Sequence, residues 1–364
     1  SPESSTLIFN GAGSQSIASS TFNNLTINKT SGIVLPTGNL TINGDLTLMA
    51  GTLDLGTYTA NRSSTGGTLT LGANTILKIG TGSEYPANYV ANNLASSSTV
   101  EYYGTLPQTV VGITYGNLTL SNGSSNVKTL SATANIMGDL LINNGASFDA
   151  SAFSLNVYGN WNNAGTFIPT SSTVSLNGTS KSLTGATTFS NLSITGTYTG
   201  YNDITVTGNT NINGSYDASS NNATFEGNFL KSGTFTSGGT VTFTGTQSQT
   251  ISMDAGFTNT GTVNFNGTVA PIFTGITSPT LYNVNLNNTG GITPVVGWNV
   301  GGIFTVANGV TFTAGSYSYT FGSTFTNNGT VTSTGVLYFN PASAVTLKLM
   351  GTSFSSTGLV EFGG

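Results

Sequence analysis

Leu40-Thr41-Ile42-Asn43-Gly44-Asp45-Leu46-Thr47-Leu48 places an apolar residue at every second position on both sides of an Asn-Gly turn. Alternation with a period of two gives a strand one apolar face, and at Asn-Gly a positive φ costs little. The same pattern spreads outward from this stretch. Leu25-Thr26-Ile27, Leu69-Thr70-Leu71, Leu118-Thr119-Leu120 and Val241-Thr242-Phe243 repeat the alternation. Asn122-Gly123, Asn177-Gly178, Asn213-Gly214 and Asn328-Gly329 repeat the turn. No window long enough for a helix shows a helical period with good helix formers. The chain reads as all-β, built of short strands.

Short strands and Asn-Gly turns also suit hairpins in a sandwich, so repeats have to decide between the two. One signature recurs: a strand ending in an aromatic residue or Leu, a Gly two residues on, then often a Gln and an aliphatic residue. It appears as Leu7-Ile8-Phe9-Asn10-Gly11 with Gln15, as Val100-Glu101-Tyr102-Tyr103-Gly104 with Gln108, and as Val241-Thr242-Phe243-Thr244-Gly245 with Gln249. Weaker copies are anchored on Leu176, Phe265, Phe339 and Phe362. The intervals between the successive anchors Phe9, Tyr102, Leu176, Phe243, Phe265, Phe339 and Phe362 can be taken as whole multiples of one unit. That unit averages about 23.5 residues, which fits one coil of a β-solenoid. Asn24, Asn117, Asn191 and Asn283 each precede an aliphatic-polar-aliphatic triplet and are expected to form a structural turn ladder. The expectation is a single-stranded parallel β-helix of about 15–16 coils of roughly 22–25 residues each. It would run as one continuous solenoid over residues 1–364, in imperfect modules 6–98, 99–172, 173–239, 240–335 and 336–364.

Composition removes several function classes. The chain has 364 residues with 7 basic and 12 acidic side chains, and no His or Cys. Nucleophilic sites that need a histidine, His or Cys metal centres and disulfides are therefore out of reach. A net charge of −5 with a single arginine, Arg62, argues against nucleic acid or an anionic membrane as partner. No apolar run is long enough to cross a bilayer as a helix, so no membrane insertion is expected. The polar, nearly uncharged surface suggests an exported protein, extracellular or on a cell surface. Ser1-Pro2-Glu3-Ser4-Ser5 reads as a mature start left after signal-peptide removal.

The acidic residues fall into two contexts. Asp45 and Asp139 follow a Gly, whereas Asp54, Asp149 and Asp217 close a short strand. A carboxylate row for calcium or glycoside hydrolysis needs these groups close together, but their spacing puts them several coils apart. They read as turn residues, with no metal, no cofactor and no catalytic residue expected. Pectin-degrading β-helices, which rely on arginine, histidine or paired acids, set a standard that this chain does not meet, so no enzyme activity is expected. Thr-Xaa-Thr stretches such as Thr205-Val206-Thr207 and Thr324-Phe325-Thr326 suggest ice binding as a remote alternative, although they recur at no fixed period. Trp161, Trp298, Tyr317 and Tyr319 would stack on sugar rings if exposed, or fill core corners if not.

The succession Phe9-Asn10-Gly11, Gln15-Ser16-Ile17, Phe22-Asn23-Asn24-Leu25-Thr26-Ile27, Leu40 to Leu48 and Gly51-Thr52-Leu53-Asp54-Leu55 resembles a repeat of large bacterial secreted and surface proteins. Those proteins are similar to filamentous-haemagglutinin-type adhesins. The resemblance implies a right-handed coil and surface display, and names no ligand. Residues 6–11 and 359–364 both carry the signature. Leu7, Ile8, Phe9, Leu359, Val360 and Phe362 are therefore expected to form an assembly interface through which copies dock head to tail into a filament. The alternative is an adhesin or stalk segment whose partner is a surface polysaccharide.

Overall fold

The computed structural model describes residues 5–123 and 125–363, with no helix among them. Ser1 to Ser4, read above as part of a processed start, lie outside the described residues. The chain divides into two compact units, Ser1–Gly185 and Ala186–Gly364. Each unit is a parallel β-solenoid. In the first, a turn runs through the strands Leu140–Ile142, Ser147–Asp149 and Ser154–Val157. Trp161–Asn163 then lies against Leu140–Ile142, one turn on. In the second, Ile204–Val206, Thr210–Ile212 and Ser215–Asp217 form three faces before Ala223–Phe225 pairs with Ile204–Val206. The ladders among described strands are parallel, and an isolated antiparallel bridge joins Gly123 to Ala146. A sandwich of hairpins is excluded.

The turns number about 18, more than the sequence reading expected, because many of them are shorter than its average unit. Thr187 finds its register partner at Ile204 after a short turn, whereas Leu53 finds its own at Leu77 after a much longer one. The signature misled because it marks a strand-to-turn junction, and every turn has several of them. Phe243–Phe265 and Phe339–Phe362 are true register partners. Phe9 instead belongs to the column of Ile27 and Leu48, and Tyr102 to that of Ile79 and Leu120. Leu176 is the partner of Val157, whereas the Tyr102 column continues through Ile142 to Asn163. The intervals from Phe9 to Tyr102 and from Tyr102 to Leu176 are therefore not whole turns.

Alternation decides what is buried. In the first unit Leu25, Leu46 and Leu69 are register partners with no exposed surface, while Thr26, Thr47 and Thr70 point away from them. The second unit stacks rings instead. Phe243 lies on Phe265 at 5.4 Å and 17°, and Phe304 on Phe325 at 5.2 Å and 9°. Register partners must present the same face of the ring, so an offset stack is the arrangement the column geometry favours. Trp161, Trp298 and Tyr319 are buried in the core, whereas Tyr317 remains partly exposed.

The glutamine of the signature has a structural task. Gln108 is buried, its Oε1 accepts the Gly104 N–H at 2.9 Å, and its Nε2 donates to the carbonyls of Ile79 and Gly80. The side chain folds beneath Gly104, where a Cβ would come within 2.7 Å of it. Gln249 likewise donates to the carbonyls of Phe225 and Gly227. Each glutamine adds a donor to turn carbonyls, of which those of Ile79 and Phe225 also accept a backbone N–H, from Tyr103 and Thr244.

Candidate functional site

The turn asparagines hold successive coils together. Asn117 Oδ1 accepts the Asp139 N–H at 2.8 Å, Asp139 Oδ1 accepts that of Asn160 at 2.7 Å, and Asn160 Oδ1 accepts that of Ser182 at 3.0 Å. Asn24 begins a separate chain of the same kind, through Asp45 to Thr68. Asn191 begins one through Asn209 and Asn228 to Thr250, and Asn283 bonds to Ile303. The four asparagines thus head separate ladders instead of stacking on one another. The glycine before the first step of each ladder leaves room for the amide. A Cβ on Gly44 or Gly138 would stand 2.1 Å from the asparagine Oδ1, and one on Gly208 or Gly302 would stand 2.6 or 2.4 Å from it. The reason is close approach, since none of these four has a positive φ.

The second group of aspartates turns the chain. Oδ1 of Asp54, Asp149 and Asp217 accepts the N–H two residues on, at Gly56, Ser151 and Ser219. Among the described residues no three acidic side chains gather as a metal would require. Charges meet in one outward row of the first unit, where Asp54, Lys78 and Glu101 are successive register partners. Lys78 Nζ lies 3.2 Å from Glu101 and 4.9 Å from the centre of the Tyr103 ring. Tyr103 Oη donates to Asp54 at 2.6 Å, and burial with that carboxylate raises the phenol pKa.

Three lysines are buried, which the sequence reading missed. Lys128 Nζ donates to the carbonyls of Gly104 and Asn122 at 3.0 Å each, and burial lowers its pKa. Lys29 donates to Gly11 and to Gln15, and Lys231 pairs with Asp254. The signal was present: Leu25-Xaa-Ile27-Xaa-Lys29, Lys128-Xaa-Leu130 and Phe229-Xaa-Lys231 put each lysine in the apolar phase of its strand.

The threonines do come into register, contrary to the reading from spacing. In the second unit Thr188, Thr205, Thr224, Thr242, Asn264, Asn285, Thr305 and Thr326 form one outward column. Asn285 Nδ2 donates to Asn264 Oδ1 at 3.0 Å within it. Unequal turn lengths hide this column from any search for a fixed period.

The expected assembly residues lie on edge strands. Thr6–Phe9 pairs with Asn24–Pro36, leaving Leu7 and Ile8 43% and 52% exposed. Val360–Phe362 pairs with Leu337–Phe339, leaving Leu359 and Phe362 exposed. Phe9 and Val360 are half-buried. Phe362 continues a ring stack, 5.4 Å from Phe339.

No protein-family model, curated protein or solved structure matches this chain. What it does has to be argued from these surfaces. Asp45, Asp54, Asp139, Asp149 and Asp217 are engaged in turns and ladders, and Lys29, Lys128 and Lys231 in buried bonds. Among the described residues, the two edge strands, a polar face and several surface clefts are exposed.

Proposed function

We propose that the protein is an extracellular structural element, a β-solenoid subunit that stacks end to end into a filament on a bacterial cell surface. The observation that carries this reading is the pair of edge strands. Leu7 and Ile8 on one, and Leu359 and Phe362 on the other, present exposed apolar side chains on strands that are paired on one side among the described residues. A further coil placed on Phe362 would extend the stack already formed with Phe339. The resemblance of the repeat to those of bacterial surface proteins and the low charge of the chain support an exported setting. Sedimentation and electron microscopy over a range of concentrations test the proposal. Linear assemblies are expected, and a monodisperse monomer at every concentration contradicts it.

Ice binding is a second reading, favoured by the register of the Thr188 to Thr326 column. Its hydroxyls and amides repeat at about 4.8 Å on a face formed by successive strands. Thermal hysteresis, lost when Thr224 and Thr242 become Lys, would support it. Its absence in the unmodified chain removes it.

A further inference from the structure

Residues 80–88 of the first unit make a loop where neighbouring turns carry a strand. A cleft of about 350 Å³ opens beside it, within the size range of small-ligand sites. One wall is apolar, made by Tyr85, Pro86 and Val111. Glu84, Asn92 and Thr109 supply polar groups. A second depression of about 210 Å³ shares Glu84 and Thr109 and extends toward Thr129, the register partner of Thr109 one turn on.

The walls are pre-set. Tyr85 is buried, packs edge-on against Tyr115 at 6.5 Å, and donates its hydroxyl to Asn92 Oδ1 at 2.9 Å. That bond fixes the Asn92 amide and leaves its two N–H donors without a partner among the described residues. Tyr89 anchors the end of the loop by donating to the Ala60 carbonyl at 3.2 Å. Asn88, at φ +71°, ties its Nδ2 to the Arg62 carbonyl. Glu84 is exposed and has no ion-pair partner among the described residues.

We propose that this cleft binds a neutral saccharide of about two units, independently of whether the chain stacks end to end. A pyranose offers an apolar C–H face to Tyr85 and Val111, and hydroxyls that both donate and accept. It thereby satisfies the Glu84 carboxylate and the Asn92 amide together. An anionic guest would meet the Glu84 charge. An ammonium only donates, so it would cover the Asn92 donors and leave them without a partner.

Saturation-transfer NMR on the intact chain tests this, with neutral hexoses, N-acetylhexosamines and their disaccharides as probes. Glucuronic acid and an alkylammonium serve as competing chemistries. A neutral disaccharide is expected to bind at millimolar concentration or better. Glu84→Gln and Asn92→Asp should each weaken it about tenfold. Thr109→Trp, at an exposed position shared by both depressions, should abolish binding with the thermal midpoint unchanged. The proposal is overturned if no neutral saccharide binds, if the acid or the ammonium binds better, or if binding survives Thr109→Trp. If that variant unfolds, the Glu84→Gln and Asn92→Asp affinities decide: two unchanged values overturn the site.

Discussion

Gly138 shows how much one missing side chain can decide. The Asn117 amide occupies the space where its Cβ would be, and through that space passes the bond to the Asp139 N–H. Asn117→Ala removes one half-buried acceptor and should cost about 1 kcal/mol. Gly138→Ala displaces the amide and crowds the neighbouring backbone, so a larger loss of about 1–3 kcal/mol is expected. Denaturant unfolding of both variants checks the order. The sequence exposed the recurring Gly-Asp context and suggested a turn residue, whereas Asp45 and Asp139 accept N–H groups one coil on. That the aspartate reaches the next coil was not legible, because the link depends on which residues become register partners. Lys128 is similar: its place in the apolar phase was visible, but the cage of carbonyls around it is a property of two successive turns.

Strands were legible from alternation, and their parallel stacking from the recurrence of one signature. The turn length was not, since each turn offers several similar junctions and only register tells them apart. Register also governs charge. Asp54, Lys78 and Glu101 alternate in sign along one row, and like charges placed directly opposite would repel. Lys78→Glu puts three acids in succession and removes the cation from the Tyr103 ring. A loss of about 1 kcal/mol is expected, and it should shrink as salt is added, because the row lies near the surface. Thermal melts at low and high ionic strength measure both effects. In the second unit the element-scale contact is the ring stack. Phe243→Ala opens a hole between Phe225 and Phe265 and should cost about 3–5 kcal/mol.

At the scale of the whole molecule, composition sets the response to pH. With no histidine, the side chain that most often titrates near neutrality is missing. Alkali acts differently, because Tyr85, Tyr102, Tyr115, Tyr216 and Tyr319 are buried as neutral phenols. Burial pushes Tyr102 up to about 12 from the ordinary value near 10, and it raises the other four as well. The folded state then holds its protons more tightly than the unfolded chain, so this contribution is complete below about pH 10 and falls away as pH rises toward and beyond 12. Cooperative alkaline unfolding, coincident with the tyrosinate absorbance, is the expected result. Assembly belongs to the same scale: Ile8→Lys or Phe362→Lys places a charge on an exposed edge and should abolish linear association while leaving the melting temperature within a few degrees.

Parallel stacking of successive turns underlies the ladders, and the proposed assembly edges and saccharide cleft rest on it. Paired cysteines test it directly, since the chain has none of its own. Thr224 and Thr242 are outward-facing register partners on adjacent turns, at a separation of about 4.8 Å that a disulfide spans. A hairpin fold would instead bring Thr224 opposite Leu230. Under mild oxidation Thr224→Cys with Thr242→Cys should crosslink quantitatively within one chain, and Thr224→Cys with Leu230→Cys should not. The reverse result would contradict the solenoid.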